Sequence, residues 1–444
     1  MNRKRKLTVV GLLAVAVVMI VQPRAFDEPV SSQQSQIAIK LQPQILVAEM
    51  AKLTSDGSLI TDWPLIRALM NLPESLRRQL NLNDAELAEV ASGARDTTDE
   101  RRRIRLHVAS SLGLAEDAAS VRSLAAILGS SDVEKRRYAA FGLWLVGNEA
   151  SIAPLIGALQ DADESARRYA VLAIGRILEF RHIENKPAIN ALTAALGHES
   201  EQMRREAARA LAHAGRPART AVPALIELFK TDRSEYVRQQ AVHGLGHLGE
   251  NSPAAAETLL TALGDSSGHV RSSAAHSLSG IEKRLALRAI PTLIGLLKHD
   301  RLEEVRREAA HALGHVEAAG KETTPALIEA LRDQSPRVRG EAAFALSNIE
   351  EFNLEKFGRA TIPPLIESLK GDGSSEVRRQ AAHALGHLGG SSPSAVKALT
   401  QAAKDDPVAE VRREAAQALV ELEHDNPSGQ SSHGQKPEKI ERIL

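Results

Sequence analysis

The sequence contains no cysteine, which excludes disulfides, thiolate metal sites and cysteine nucleophiles. Aromatic residues make up only 3% of the 444 residues, so a core built from large rings is not expected. There is no excess of either charge, because 56 Lys and Arg residues balance 56 Asp and Glu residues. Proteins that bind nucleic acid carry a basic excess or a basic face, so we expect no nucleic-acid partner.

The N-terminus combines a basic start with an apolar run. Four consecutive cations, Arg3 to Lys6, precede the apolar residues 7–21, an order typical of an export signal. As a helix this run would be about 22 Å long, shorter than the ~30 Å core of a bilayer. We interpret residues 1–25 as either a cleaved signal peptide or an N-terminal membrane anchor. In both cases the positive-inside rule predicts an extracytoplasmic protein, periplasmic or at the cell surface, whose only membrane contact is this segment.

The remaining chain divides by composition. Residues 26–44 are rich in Ser and Gln and are interpreted as a polar linker. Helical patterns in residues 45–100 are irregular and indicate an N-terminal cap, while residues 101–423 form a repeat region. The last residues, 424–444, lack the apolar content to fold and are predicted to be disordered.

The repeat region contains ten copies of a pattern whose clearest form is VRRQAAHALGHLG, starting at Val377. The arginine in its second position recurs every 31 to 39 residues. A second apolar segment with a proline near its start precedes the clearest copies, at Pro223, Pro291, Pro325 and Pro363. Each copy is therefore predicted to be a pair of helices joined by a short turn. A fixed period in this range predicts an all-α solenoid, in which each unit buries its apolar face only against its neighbours.

On a helical wheel, the segment that starts at Val377 has two faces. Alanines and leucines cover the packed side, while Arg379, Gln380, His383 and His387 share a separate, outward arc. Arg378 falls within the apolar arc, where an unpaired charge would be costly. An aspartate stands six residues before most of these arginines and is the candidate partner. We therefore expect a structural Asp–Arg ladder along the seam between helices, made of Asp232, Arg238, Asp265, Arg271, Asp300, Arg306, Asp333, Arg339, Asp372, Arg378, Asp406 and Arg412.

These motifs, from about Ile104 to Glu423, resemble the HEAT-like repeats of the phycocyanobilin lyase type. The resemblance rests on the Pro-x-Leu-Ile-x-x-Leu first helix, the turn aspartate and the VRxxAAxALGxxG second helix. It implies a right-handed α-solenoid (superhelix) of about ten helix pairs. It also implies that the second helices line the concave face.

The resemblance leaves enzymes of this family as the alternative function. A metal-dependent oxidoreductase that resembles deoxyhypusine hydroxylase would need repeated His-Glu dipeptides on its helices. The sequence has one, His198–Glu199, in a predicted turn. A bilin lyase would work in the cytoplasm, which conflicts with the predicted export. We therefore expect no catalytic residues and no cofactor, and an enzyme is the less favoured of the two interpretations.

The histidines of the outward arc raise the question of a metal site. Complete His-x-x-x-His pairs occur in three copies, His243/His247, His311/His315 and His383/His387. Each pair offers two ligands, whereas a catalytic zinc takes three from the protein, and no His-Glu-x-x-His motif is present. We expect no metal site, and these six histidines are the only candidates for one.

The favoured interpretation is a non-catalytic scaffold or adaptor that binds another protein or peptide along its concave face. The polar side chains of the second helices would form that surface, and histidine would make it sensitive to pH. A solubility surface without a dedicated ligand is the other interpretation of the same residues. The predicted partner-binding residues are Arg205, Arg209, His213, His243, His247, His276, Arg307, His311, His315, Phe344, Arg379, His383 and His387.

Overall fold

The computed structural model describes residues 105–424, with gaps at 107, 111, 113, 182–183, 280–282, 317–319, 349–358 and 389–391. The predicted leader (1–25), linker (26–44), cap (45–100) and the tail beyond residue 424 lie outside the described residues. Within these residues, no helix combines the length and the apolar character needed to span a bilayer.

The described residues form eighteen α-helices in nine consecutive pairs, together with two short 3-10 helices, Glu149–Ser151 and Arg216–Ala221. The first helices of the pairs are α1 (Ala118–Ile127), α3 (Ile152–Ala158), α5 (Lys186–Ala195), α7 (Val222–Thr231), α9 (Pro253–Ala262), α11 (Lys283–His299), α13 (Gly320–Ala330), α15 (Arg359–Gly371) and α17 (Pro393–Asp405). The second helices are α2 (Val133–Val146), α4 (Glu164–Arg181), α6 (Glu201–His213), α8 (Glu235–Leu248), α10 (Gly268–Leu278), α12 (Glu303–His315), α14 (Pro336–Ser347), α16 (Ser375–Leu388) and α18 (Ala409–His424).

Local sequence sets where several helices begin. Asp132 caps α2 by accepting hydrogen bonds from the backbone N–H groups of Glu134 and Lys135. Ser252 caps α9, which has proline in its first turn, where a missing N–H costs little. The prolines of α11, α13 and α15 lie inside the helix instead, because these helices begin several residues before the proline. These prolines therefore lie further from the helix start than the sequence predicted.

Small side chains allow the second helices to pack closely. Consecutive second helices contact each other more extensively than consecutive first helices do. Their alanines, such as Ala381, Ala382 and Ala384 of α16, are fully buried between neighbours. A glycine near the end of several second helices faces the next second helix: a Cβ on Gly314 would lie 2.7 Å from the Cβ of Ala345. The layer of second helices is therefore the more closely packed of the two.

The extensive contacts join each helix pair to the pair before and the pair after it. A chain of units with nearest-neighbour contacts is an α-solenoid, so the predicted all-α solenoid is confirmed. Nine pairs are described in full, and Arg105 belongs to the second helix of the copy predicted at Ile104. The right-handed sense of the superhelix stays a prediction.

Candidate partner-binding face

The outward residues of the second helices from α6 to α16 form one surface, which we call the histidine face. It contains His213, His243, His247, His276, His311, His315, His383 and His387 together with Phe344 and the neighbouring arginines. None of these histidines is buried: the exposed fraction of the side chain is 58% for His276, 28% for His311 and 29% for His383. The second histidine of each pair, His247, His315 or His387, is exposed. The predicted outward position of these imidazoles agrees with their placement.

The rings of adjacent repeats meet in groups. His213 of α6 lies beside both histidines of α8, with ring centres 5.9 Å from His243 and 6.1 Å from His247. In the next group, His276 of α10 stacks on His311 at 5.9 Å, and His311 lies 4.5 Å from His315. A single histidine on one second helix therefore lies beside the histidine pair of the next second helix. A helical wheel, which describes one helix, could not show this grouping.

The third group contains an aromatic ring in place of the single histidine. Phe344 of α14 stacks on His383 with ring centres 6.1 Å apart, and His383 lies 4.7 Å from His387. Phe344 is half-buried. The histidine face thus presents one apolar ring among polar side chains.

A glutamate of the following second helix holds the first histidine of several groups. The Nδ1 atoms of His276, His311 and His383 lie 3.0, 2.8 and 3.0 Å from carboxylate oxygens of Glu308, Glu341 and Glu414. Because a carboxylate only accepts hydrogen bonds, Nδ1 carries the proton in each of these contacts. A helical wheel could not predict these contacts, because it describes one helix and each contact joins two. The regular spacing of glutamate in the fourth position of the next copy was the signal that could have revealed them.

Burial and charge act on the pKa values of this surface. Burial works to raise the pKa of the Glu308 carboxyl, but the hydrogen bond from His276 and the charge of Arg307 outweigh it and hold the pKa below its usual value. Partial loss of contact with water, together with the charge of the neighbouring His311, lowers the pKa of His315. The lowered pKa of Glu308 favours its charged carboxylate, and the lowered pKa of His315 favours its neutral ring.

The four arginines predicted for the partner-binding face differ in their exposure to solvent. Arg307 and Arg379 are about 40% and 36% exposed, and they pair with Glu308 and with Glu376 respectively. Arg205 is only 6% exposed, so its predicted place on an open ridge is wrong. It lies against the buried Glu206, and Arg209 donates to the same carboxylate over 2.9 Å.

The corresponding surface of the N-terminal second helices is apolar and closed. Phe141 and Trp144 of α2 and Tyr169 of α4 are buried, with ring centres 5.2 to 5.9 Å apart. Edge-to-face and offset packing at these distances is the preferred arrangement of aromatic rings. The accessible polar surface therefore begins at α6.

The second-position arginines bind aspartates of the following repeat. In seven rungs Nε donates to the aspartate Oδ2 over 2.6 to 2.9 Å and a terminal NH2 group donates to Oδ1. The pairs are Arg136–Asp161, Arg204–Asp232, Arg238–Asp265, Arg271–Asp300, Arg306–Asp333, Arg339–Asp372 and Arg378–Asp406.

The partner of each arginine differs from the candidate six residues upstream. That aspartate offers its backbone carbonyl instead: Arg306 donates from its NH1 group to the carbonyl oxygen of Asp300 over 2.9 Å. The carboxylate of Asp300 points to the preceding repeat, where it accepts from Arg271. Oδ1 of Asp300 also accepts from the N–H of Leu302, which holds the carboxylate in the turn. The carboxylates of the ladder therefore link consecutive repeats, while the backbone carbonyls bind the arginine of the same repeat. Arg412, the last member, donates to the carbonyl of Asp406.

One rung is incomplete. His198 occupies the aspartate position in the turn before α6, and its Nδ1 accepts from the N–H of Ser200 as the aspartates do. The arginine that would bind an aspartate there is Arg167, and its Nε is buried without a hydrogen-bond partner among the described residues. Among the nine described helix pairs, the ladder thus lacks one carboxylate, between α4 and α6.

In residues 105–424 apart from the gaps, no three His, Asp or Glu side chains are placed to hold a metal ion together. The dipeptide His198–Glu199 lies in a turn, as expected. The glycines of Gly244–Gly249 have the spacing of a dinucleotide-binding loop, but they lie within and at the end of α8, where no strand precedes them.

The sequence of the chain matches a known family of repeats. A sequence profile described as HEAT repeats matches residues 121–211, 152–246, 189–279, 222–314, 290–360 and 324–420. A search of curated proteins finds no match. The profile describes HEAT repeats in general, so the phycocyanobilin lyase subtype stays a prediction.

Solved structures similar to this chain include a crystal structure of an engineered protein, with 23% identity, a TM-score of 0.43, and 77% of this chain and 99% of that chain covered. They include YibA of E. coli, with 22% identity, a TM-score of 0.44, and 60% and 92% covered. They also include Kap95p, solved in a study of RanGDP, with 12% identity, a TM-score of 0.47, and 87% and 64% covered. The profile alone covers more than half of the chain and coincides with the helix pairs described above. The chain belongs to the HEAT-repeat family.

Proposed function

We propose that this protein is a non-catalytic scaffold that binds another protein or a peptide along the histidine face. The observation that carries the proposal is the repetition of the same polar groups on alternate second helices. Arg307, His311 and His315 of α12 return two repeats later as Arg379, His383 and His387 of α16. A surface that repeats in steps along a groove suits an extended partner.

The side chains of this face are held before a partner arrives. Glu341 fixes His311, and Glu414 fixes His383. An ordered side chain loses less conformational entropy on binding than a free one, which favours affinity. Phe344, on α14 between α12 and α16, stacks on His383 and supplies an apolar contact of the kind that dominates binding energy.

Photo-cross-linking tests the proposal. A photoreactive residue would replace Phe344 or Gln380 on the histidine face, and Arg288 or Glu329 on the first helices as matched controls. We expect cross-links in the source cell from the first two positions only. Cross-links from all four positions, or from the controls alone, would contradict the proposal.

Charge reversal provides a second readout. Arg307→Glu with Arg379→Glu should remove the cross-linked species, whereas Arg288→Glu with Arg332→Glu changes the net charge equally and should leave it. Arg288 and Arg332 are exposed, with 55% and 78% of the side chain accessible. Equal losses in both double variants would indicate non-specific attraction.

We also propose that the protein works outside the cytoplasm. The support is the basic and apolar order of residues 3–21. A reporter enzyme that is active only outside the cytoplasm, fused after residue 44, should be active. Deletion of residues 2–21 should abolish that activity, and an inactive fusion with the leader intact would contradict the proposal.

A further inference from the structure

The histidine pairs of α12 and α16 share a chemistry that partner binding does not require. We propose that His311/His315 and His383/His387 each bind one divalent transition-metal ion of the kind that imidazole prefers, such as zinc, nickel or copper. Imidazole nitrogens suit these metals better than magnesium or calcium. The inference goes beyond the proposed scaffold function and does not depend on it.

The separation of the rings fits a shared ion. With a metal–nitrogen distance of about 2.1 Å, two imidazoles that bind one ion at roughly 90–110° have ring centres about 4.5–5.2 Å apart. The ring centres of His311 and His315 are 4.5 Å apart, and those of His383 and His387 are 4.7 Å apart. The ring centres of both pairs therefore have the spacing that a shared ion needs, and each pair is called a clamp below.

A carboxylate stands behind the first ring of each clamp. Glu341 binds Nδ1 of His311, and Glu414 binds Nδ1 of His383. Metal-binding histidines nearly always donate their second ring N–H to such a group, which fixes the tautomer and makes the free nitrogen a stronger ligand. The contact leaves Nε2 of both rings as the nitrogen with an available lone pair.

Local charge and access also favour a cation. Around the α12 clamp the carboxylates of Glu308 and Glu341 outnumber the guanidinium group of Arg307. Around the α16 clamp, Glu376 and Glu414 outnumber Arg379 in the same way. His315 and His387 are exposed, so an ion can reach each clamp from solvent.

Each clamp supplies two protein ligands, which agrees with the finding that no three donors converge in the described residues. The ring of His276 lies 5.9 Å from that of His311 and nearly parallel to it, an orientation unsuited to the same ion. Water, or a carboxylate or imidazole of another molecule, would complete the coordination.

The pair His243/His247 serves as an internal comparison. Its ring centres are also 4.5 Å apart, but the following helix has Ser273 in the position of Glu341 and Glu414. If the carboxylate strengthens the clamp, this pair should bind an ion more weakly than the other two.

Calorimetric titration of the untagged full-length protein with zinc, after treatment with a chelator, tests the proposal. We expect two tight sites per chain, and we expect the double variant His311→Ala with His383→Ala to lose them. His299→Ala is the matched control, because His299 is an exposed histidine on α11 with no histidine four residues away. Unchanged zinc binding in the double variant would overturn the proposal.

Substitution of the two glutamates tests whether the histidine pairs are specific metal sites or ordinary surface histidines. Glu341→Gln with Glu414→Gln should weaken zinc binding about 10-fold or more, with an unfolding curve like that of the parent protein. Copper(II) spectra of the parent protein should show two imidazole nitrogens per ion. Affinity unaltered by the glutamine substitutions, or one nitrogen per copper, would show adventitious binding only and would overturn the proposal.

Discussion

Arg306 donates from Nε to Oδ2 of Asp333 over 2.7 Å, although 27 residues separate the two in the chain. The same guanidinium group reaches back to the carbonyl oxygen of Asp300. One side chain thus joins the turn of its own repeat to the turn of the next. Because the exposed fractions are 5% for Arg306 and 12% for Asp333, water competes little for this pair.

The first prediction compares two adjacent arginines. Arg306→Ala leaves the Asp333 carboxylate buried without its cation and should lower the free energy of unfolding by about 3–5 kcal/mol. Arg307→Ala removes a partly exposed ion pair and should cost at most about 1 kcal/mol. Urea unfolding followed by circular dichroism measures both. Equal effects would contradict the assignment of Arg306 to the ladder.

The second prediction concerns acid. Burial works to raise the pKa of Asp333, but hydrogen bonds from Arg306 and from the N–H of Ser335 outweigh it, so the pKa lies below its usual value. Asp265, Asp300, Asp372 and Asp406 show the same direction for the same causes. A folded-state pKa below the unfolded value stabilises the fold above the unfolded pKa, and that stabilisation disappears as the pH falls through the folded pKa.

The ladder should therefore make stability fall steeply below the unfolded aspartate pKa of about 3.9. Thermal unfolding measured from pH 7 down to pH 2.5 checks this. The double variant Asp300→Asn with Asp333→Asn should be less stable at neutral pH and should lose less stability on acidification. An acid response identical to that of the parent protein would contradict a role for these carboxylates.

The third prediction repairs the incomplete rung. His198→Asp should give Arg167 the carboxylate that its counterparts have and should raise the free energy of unfolding by about 1–2 kcal/mol. His198→Asn keeps an acceptor for the N–H of Ser200 but adds no charge, so it should give a smaller gain. Thermal unfolding at neutral pH distinguishes the two, and no difference between them would show that Arg167 cannot reach the turn.

The fourth prediction uses two helical glycines. Alanine is the better helix former by about 1 kcal/mol, and Gly295→Ala in α11 should be stabilising because no atom lies within 4 Å of the new Cβ. Gly314→Ala should be destabilising by about 1–3 kcal/mol, since the new Cβ would meet the Cα of Ala345 at 2.8 Å. Melting temperatures that move in the same direction would contradict the close approach of α12 and α14.

The repeat pattern was sufficient to predict the helix pairs, their stacking and the outward side of the histidines. These features depend on the spacing of alanine, leucine and arginine within one copy. The ladder partner was predicted wrongly because a wheel describes one helix, whereas the carboxylate of Asp333 comes from the next turn. The contact between His311 and Glu341 was missed for the same reason. Side chains that meet across repeats depend on the offset between helices, which spacing along one helix does not contain.

The histidine in place of an aspartate before α6 has a mechanical consequence. When force is applied to the two ends of the solenoid, we expect it to unfold first where neighbouring helix pairs interact most weakly. The interface between α4 and α6 lacks the Arg–Asp pair that joins the other neighbouring second helices. Unfolding should therefore start at this interface and separate helices α1 to α4 from the rest together. Single-molecule pulling would record that event as the lowest force peak of the series.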